Sequence, residues 1–167
     1  ANYSVDTSNK IWTVTEDFTL HTYSVENIER IEFSNNAIAY DIEGNAGKTV
    51  KLLAALLGQE SAKDKTYIGA GLSLLDSGMS YDTLMKTALD TVFGSNPSGA
   101  TVVDTLYTNL VGSSAPQSVL DEYGPMLDSG SMTATALGIA VAEHSLNATN
   151  IDLVGLVQTG VEYIPYG

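Results

Sequence analysis

The 167 residues are 44% hydrophobic, enough apolar side chain for one compact core or for a small β layer packed on a helical body. Seven Lys or Arg against twenty Asp or Glu give a formal net charge of −13. The resulting field repels phosphate backbones and anionic lipid, which argues against a nucleic-acid partner. With no cysteine, disulfides, catalytic thiols and thiolate metal sites are excluded together. The chain also lacks any run of about 18 apolar residues, so no membrane insertion is expected. Residues 1–20 carry neither the basic start nor the apolar stretch of a secretory signal, and the chain opens at Ala1. It therefore reads as a processed product or an excised fragment.

Residues 1–44 read as a β-rich head. Short runs at 11–15, 19–23, 28–33 and 37–40 are rich in β-branched and aromatic residues, with Asn, Asp and Ser clusters between them. Ile31 and Phe33 alternate with Arg30, Glu32 and Ser34, which predicts one antiparallel layer with an apolar face and a charged face.

From position 45 the period becomes helical, and residues 45–149 read as a helical body. Asn45 is the expected N-cap of a first helix whose stripe of Val50, Leu53 and Leu57 stops at Gly58. Tyr67, Ile68, Leu72 and Leu75 predict a second helix. Ser80 opens a third, with Leu84, Met85, Leu89 and Val92 at i, i+3, i+4 spacing, closed by Gly94. The pattern then repeats: Val102, Val103, Leu106 and Leu110 lead to Gly112, Ser114 is expected to open a helix toward Leu127, and Ser131 another through His144. Gly124-Pro125 is expected to kink or shorten the middle one, because proline removes a backbone donor.

Leu75-Asp76-Ser77-Gly78 recurs as Leu127-Asp128-Ser129-Gly130, 52 residues on, and Leu56-Leu57-Gly58 has a counterpart in Leu110-Val111-Gly112, 54 residues on. Two tandem three-helix units, about 45–96 and 97–149, account for both offsets with a two-residue deletion. Residues 150–167 are an apolar tail. Alternation of Ile151, Leu153 and Val157, with Gln158-Thr159-Gly160 as a turn, predicts a strand hairpin closing on the head; a short apolar helix is the other reading. The expected fold class is therefore α+β, one compact unit.

Trp12-Thr13-Val14, the segments 27–34 and 41–47, and the closing run 153–163 carry a family likeness. They resemble the C-terminal region of bacterial RTX (hemolysin-type calcium-binding) secreted proteins, and the helical part is similar to the domain of unknown function found there, with repeats like those of phycobilisome linkers. Two features depart from that pattern. The turns after the first helix of each unit read Gly58-Gln59-Glu60-Ser61 and Gly112-Ser113-Ser114-Ala115 instead of Arg-x-Pro-Asp, and the chain contains no glycine-rich nonapeptide repeats. The resemblance implies export by type I secretion, an extracellular or cell-surface location, and a noncatalytic role in attachment, in matrix or surface-layer assembly, or in export. Partners would be cell-surface or matrix components, or further copies of the chain. A second class of function stands beside it: a soluble binding protein whose cleft between the two helical units holds a small molecule, a glycan or a peptide.

Among candidate sites, Asp41, Glu43 and Asn45 place three oxygen-bearing side chains at alternating positions around Gly44, a pattern that can wrap calcium. The competing reading is a strand end entering a helix whose dipole favours acids. His21 and His144 are isolated from any second ligand. His21 reads as a strand residue, and His144 as a helix-end residue whose cation the dipole favours. No Gly-x-Ser-x-Gly elbow, His-Glu-x-x-His pair or phosphate loop is present, so no catalytic residue is assigned. Asp76 and Asp128 read as local turn formers. Asn2 and Asn147 open glycosylation sequons expected in loops, and Tyr163 and Tyr166 read as packing residues or as an aromatic edge for self-association.

Overall fold

The computed structural model describes residues 3–6, 12–16, 22–25, 28–94 and 96–166. The class is α+β, as expected, but the β part is two sheets rather than one layer. In the first, β1 (Tyr3–Asp6), β2 (Trp12–Glu16) and β3 (Thr22–Val25) pair antiparallel in that order. His21 and Asn2 lie outside the described residues. In the second, β4 (Arg30–Glu32) and β5 (Ala37–Ala39) pair with β6 (Val161–Tyr163) from the other end of the chain, in the order β4-β5-β6.

The register of this second sheet reverses the face read from the sequence. Arg30 stands opposite Ala39, and Ala39 opposite Val161; Glu32 stands opposite Ala37, and Ala37 opposite Tyr163. Directly opposed residues share a face, so the fully buried Ala37 and Ala39 and the buried Val161 and Tyr163 lie on the side of Arg30. Ile31, Ile38 and Glu162 share the other side. Alternation in β4 fixes which residues go together, but not which set meets the core.

The tail is not a hairpin. Residues 153–159 form a helix, and only β6 is extended. Asp152, in a left-handed conformation (φ 50°), caps that helix by accepting from the Gly155 N–H at 3.2 Å, and Gly160 (φ 74°) ends it. Ile151, Leu153 and Leu156 pack on the core around the sheet. Their spacing suits a helix turn as well as it suits alternation, and the local cap decides between the two.

The helices are α1 (Asn45–Leu57), α2 (Lys65–Asp76), α3 (Tyr81–Phe93), α4 (Gly99–Val111), α5 (Gln117–Asp128), α6 (Ala134–Ala142), α7 (Ser145–Asn150) and α8 (Leu153–Thr159). Starts recur 54 residues apart (Asn45 to Gly99), then 52 (Lys65 to Gln117), then 53 (Tyr81 to Ala134). Lengths also recur, with 13 residues in α1 and α4 and 12 in α2 and α5. The two-residue difference falls between the first and second helices. There the first unit has a 3-10 turn (Gln59–Lys63) and an Asp64 cap accepting from Thr66 and Tyr67, while the second crosses with Pro116 and no side-chain cap.

Several expected boundaries shift. Ser114 does not open α5, and α6 is capped by Thr133 rather than opened at Ser131. Pro125 does not shorten α5, which continues to Asp128, with the Ser129 N–H donating to Pro125 O at 3.0 Å. Proline costs one donor, and that loss is tolerable near a helix end.

Helix α1 is the centre of the molecule: nine of its thirteen residues are buried. Ala46, Val50 and Leu53 join β5, β6 and α2 in one apolar cluster, and Leu52, Ala55 and Leu56 join α3, α4 and α6 in another. Each fully buried Leu or Val contributes about 1.5–3 kcal/mol. Backbones come close where side chains are absent. A Cβ on Gly69 of α2 would lie 1.9 Å from Ile164 O, just past β6, and one on Gly99 would lie 2.2 Å from Gly124 O, where α4 meets α5.

Gly69→Ala is therefore expected to push α2 from the end of β6 and to destabilise the protein by about 1–3 kcal/mol or more. Denaturant melts measure the loss. Hydrogen exchange should quicken at Ile164, whose N–H donates to Lys65 O at 3.0 Å. An unchanged midpoint would contradict the close approach.

Candidate functional site

The segment from Asp41 to Asn45 is built around an ion pair. The Arg30 guanidinium, carried on β4, meets the Asp41 carboxylate, which also accepts from the Ala46 N–H at 3.2 Å. A second guanidinium nitrogen lies 3.4 Å from Asp76, and Asn45 donates to the same Asp76 oxygen at 2.7 Å. Asn45 is thus not the N-cap of α1; Gly44 holds that position without a side chain to bond, and the Asp41 carboxylate supplies the anion at the helix start.

Both Asp41 oxygens therefore serve protein donors, and the cation beside them is Arg30. Glu43 is exposed and lines an open cleft of about 540 Å³ with Glu29, Tyr40 and Val157. Among the described residues, no group of three or more His, Asp or Glu converges as a metal ion would require. Of the alternating trio recognised in the sequence, Asp41 and Asn45 are drawn into a junction with Arg30 and Asp76, while Glu43 faces the cleft.

Asp76 and Asp128 are more than local turn formers. Asp76 accepts from Asn45, the first residue of α1, and Asp128 accepts from the Gly99 N–H, the first residue of α4, at 2.6 Å. In each unit the last residue of the second helix ties down the start of the first, where a carboxylate also complements the helix dipole. The repeated Leu-Asp-Ser-Gly text was the available signal. Its partner 29 or 31 residues earlier could not be read from it.

Asn147 corrects the sequon reading. It is 1% exposed on α7, and its amide donates to Lys51 O at 3.0 Å and to Ala142 O at 2.8 Å. A glycan has no access to it. Asn109 donates to Ala55 O and Asn150 to Leu110 O, so amides serve the unpaired carbonyls at the ends of α1, α4 and α6. His144 also changes role. It stands at the start of α7, where its Nδ1 accepts from the Leu146 N–H at 3.1 Å.

A predominantly apolar site with room for a ligand lies in the second three-helix unit. Between α4, α5 and α6 is a cavity of about 470 Å³, half open, walled by Val103 and Tyr107, Val119 and Tyr123, and Leu137 and Ala140 with aliphatic neighbours. Among the described residues, the hydroxyls of Tyr107 and Tyr123 are the only side-chain N or O atoms in its lining. A cleft between the two units was expected instead. That boundary is filled, because Leu52 and Leu56 of α1 and Met85 of α3 pack with Val102 and Leu106 of α4 and Ala142 of α6.

Near that packed boundary, Tyr81 lies with its hydroxyl buried and without a well-formed hydrogen bond. Burial, and then the Glu143 carboxylate, push its pKa well above the usual tyrosine range. Tyr40 and Tyr163 are raised too, chiefly by burial.

No known protein family, no curated protein and no solved structure matches this chain. Among the described residues, no helix is long and apolar enough to cross a membrane.

Two outcomes follow from this geometry. Arg30→Met should destabilise the protein by about 1–3 kcal/mol, less than the roughly 3–5 of a fully buried pair because both side chains keep some solvent contact, and millimolar calcium should leave wild-type melting unchanged. A saturable calcium-induced rise that is lost in Asp41→Asn would instead place a metal at that carboxylate. For Tyr81, the unfolded chain releases its proton near pH 10 while the folded protein holds it, so the stability it contributes is full below pH 10 and is lost as pH rises. Tyr81→Phe should lose stability less steeply than wild type above pH 10 in denaturant melts; identical slopes would contradict this.

Proposed function

We propose that this chain is a noncatalytic extracellular module of a type I secreted, RTX-like protein, and that it works by binding an apolar ligand in its second three-helix unit. The extracellular part of this reading rests on the likeness at segments 27–34, 41–47 and 153–163. The binding part rests on one observation, the half-open cavity of about 470 Å³ between α4, α5 and α6. That volume falls within the roughly 300–1,000 Å³ of small-molecule sites. A glycan would leave its hydroxyls facing aliphatic walls, at an unsatisfied-group cost of about 1–3 kcal/mol each. An aliphatic or aromatic molecule with few polar atoms suits the lining better. Binding of this kind serves attachment or assembly when the ligand is part of a surface or matrix.

Titration with N-phenyl-1-naphthylamine, a neutral dye that brightens in apolar surroundings, tests the groove. Wild type should give saturable one-to-one binding and a rise in melting temperature with dye concentration. Ala140 lines the groove and is exposed, so Ala140→Trp fills the space without straining the core and should weaken binding by about tenfold or more. Equal binding by both proteins, with both folded by circular dichroism, would overturn the proposal.

A further inference from the structure

The seven basic residues of the chain, Lys10, Arg30, Lys48, Lys51, Lys63, Lys65 and Lys86, all precede residue 87. Residues 87–167 contain eight carboxylates and no Lys or Arg. The groove is built wholly within this segment, and its helices carry Asp104 on α4 and Asp121, Glu122 and Asp128 on α5. Asp104 accepts from the Ala115 N–H, Asp121 from the Gln117 amide and Asp128 from the Gly99 N–H, all neutral donors that leave the charge in place. The basic residues that do reach this half pair away from the groove: Lys51 with Glu143 after α6, Lys65 with Glu162 on β6, and Lys86 with Asp90 on α3. Glu122 is exposed and stands three residues, one helical turn, after Val119, which lines the groove, so it sits at the groove's rim rather than in its lining.

From this we infer that the groove takes an organic cation, with an apolar tail among Val103, Leu137 and Ala140 and an ammonium or guanidinium head beside Glu122. This rests on the groove being a binding site, and it adds the charge of the occupant. Carboxylates on the helices that build the groove, outside its apolar lining, favour a cationic head at the rim over a neutral one, and they disfavour the carboxylate of a fatty acid, the commonest apolar ligand with a charge. At about 4 Å a single pair contributes about 1 kcal/mol even in water, which is about a fivefold preference. Three further carboxylates on the same helices extend that field. A cation is also the charge that the chain's net −13 draws in from a distance.

Octylamine, octanol and octanoate share one tail and differ in head charge, so competition against N-phenyl-1-naphthylamine on the full chain isolates the head. Octylamine should displace the dye at about five- to tenfold lower concentration than octanol, with octanoate weakest. The order should collapse in 1 M salt, where the Debye length falls to about 3 Å. Glu122→Gln should remove at least half of the octylamine advantage while leaving octanol unchanged. Octanol matching octylamine, or octanoate binding best, would overturn the cation assignment and leave the apolar groove standing. Failure of the dye and of all three competitors would remove both. Octylamine binding undiminished in Ala140→Trp would put the cation elsewhere on the surface and end this inference.

Discussion

One helix buried on nearly every side sets the terms for the rest of the molecule. Nine of the thirteen residues of α1 are out of solvent, so the elements around it must cover it completely and must leave no backbone carbonyl at its ends unpaired. Small side chains make this workable. Ala46, Ala54 and Ala55 are 0% exposed, and they let the β4-β5-β6 sheet, α2 and the second three-helix unit approach the same cylinder from different directions. The two apolar clusters are joined through this helix and through α2, which gives Ile68 and Leu72 to one and Leu75 to the other, so the sheet and the bundle are parts of a single packed body.

Buried packing of that density leaves polar groups that need partners, and the chain meets the need with short acids and amides instead of long cations. Asp41, Asp76 and Asp128 sit at the starts of first helices, and Asn109, Asn147 and Asn150 serve carbonyls at helix ends. Hydrogen bonds of this kind are modest in net stability, about 0.5–1.5 kcal/mol each, but costly to leave unmade. Their value here is register: those of Asp76, Asp128, Asn109, Asn150 and the Asn147 bond to Lys51 O join elements 29 to 96 residues apart.

The two units follow the same sequence of helix, turn and helix, yet they are used differently. The first is consumed by the core, with α1 and α2 packed on the sheet and α1 and α3 packed on the second unit. The second has only one neighbour to cover, and α5 packs chiefly against α4, with only Gly124 buried. A half-covered unit keeps an apolar recess, and in this chain that recess coincides with the segment devoid of Lys and Arg. Packing and charge are separate properties of the sequence, and their overlap is what gives the groove a chemical preference.

Some helix ends were legible in the sequence from local caps and stops, though Asp64, Thr133 and Asp152, equally local, were not read. Ser80 and Gly94 bound α3, and Gly58 and Gly112 close α1 and α4, because a capping bond or a left-handed glycine acts on its immediate neighbours. The α+β class and the recurring helix offsets were legible for the same reason, since periodicity is local. Tertiary structure alone decided which face of β4 meets the core, that the tail supplies one strand after a helix, that Arg30 stands where the Asp41 segment had suggested calcium, and that the recess lies inside the second unit. Each of these depends on residues between 11 and more than 100 positions apart, and no short window of sequence records which distant group will arrive. The physical reason is that a side chain's partners are chosen by where the whole chain can be packed without voids or unpaired polar groups.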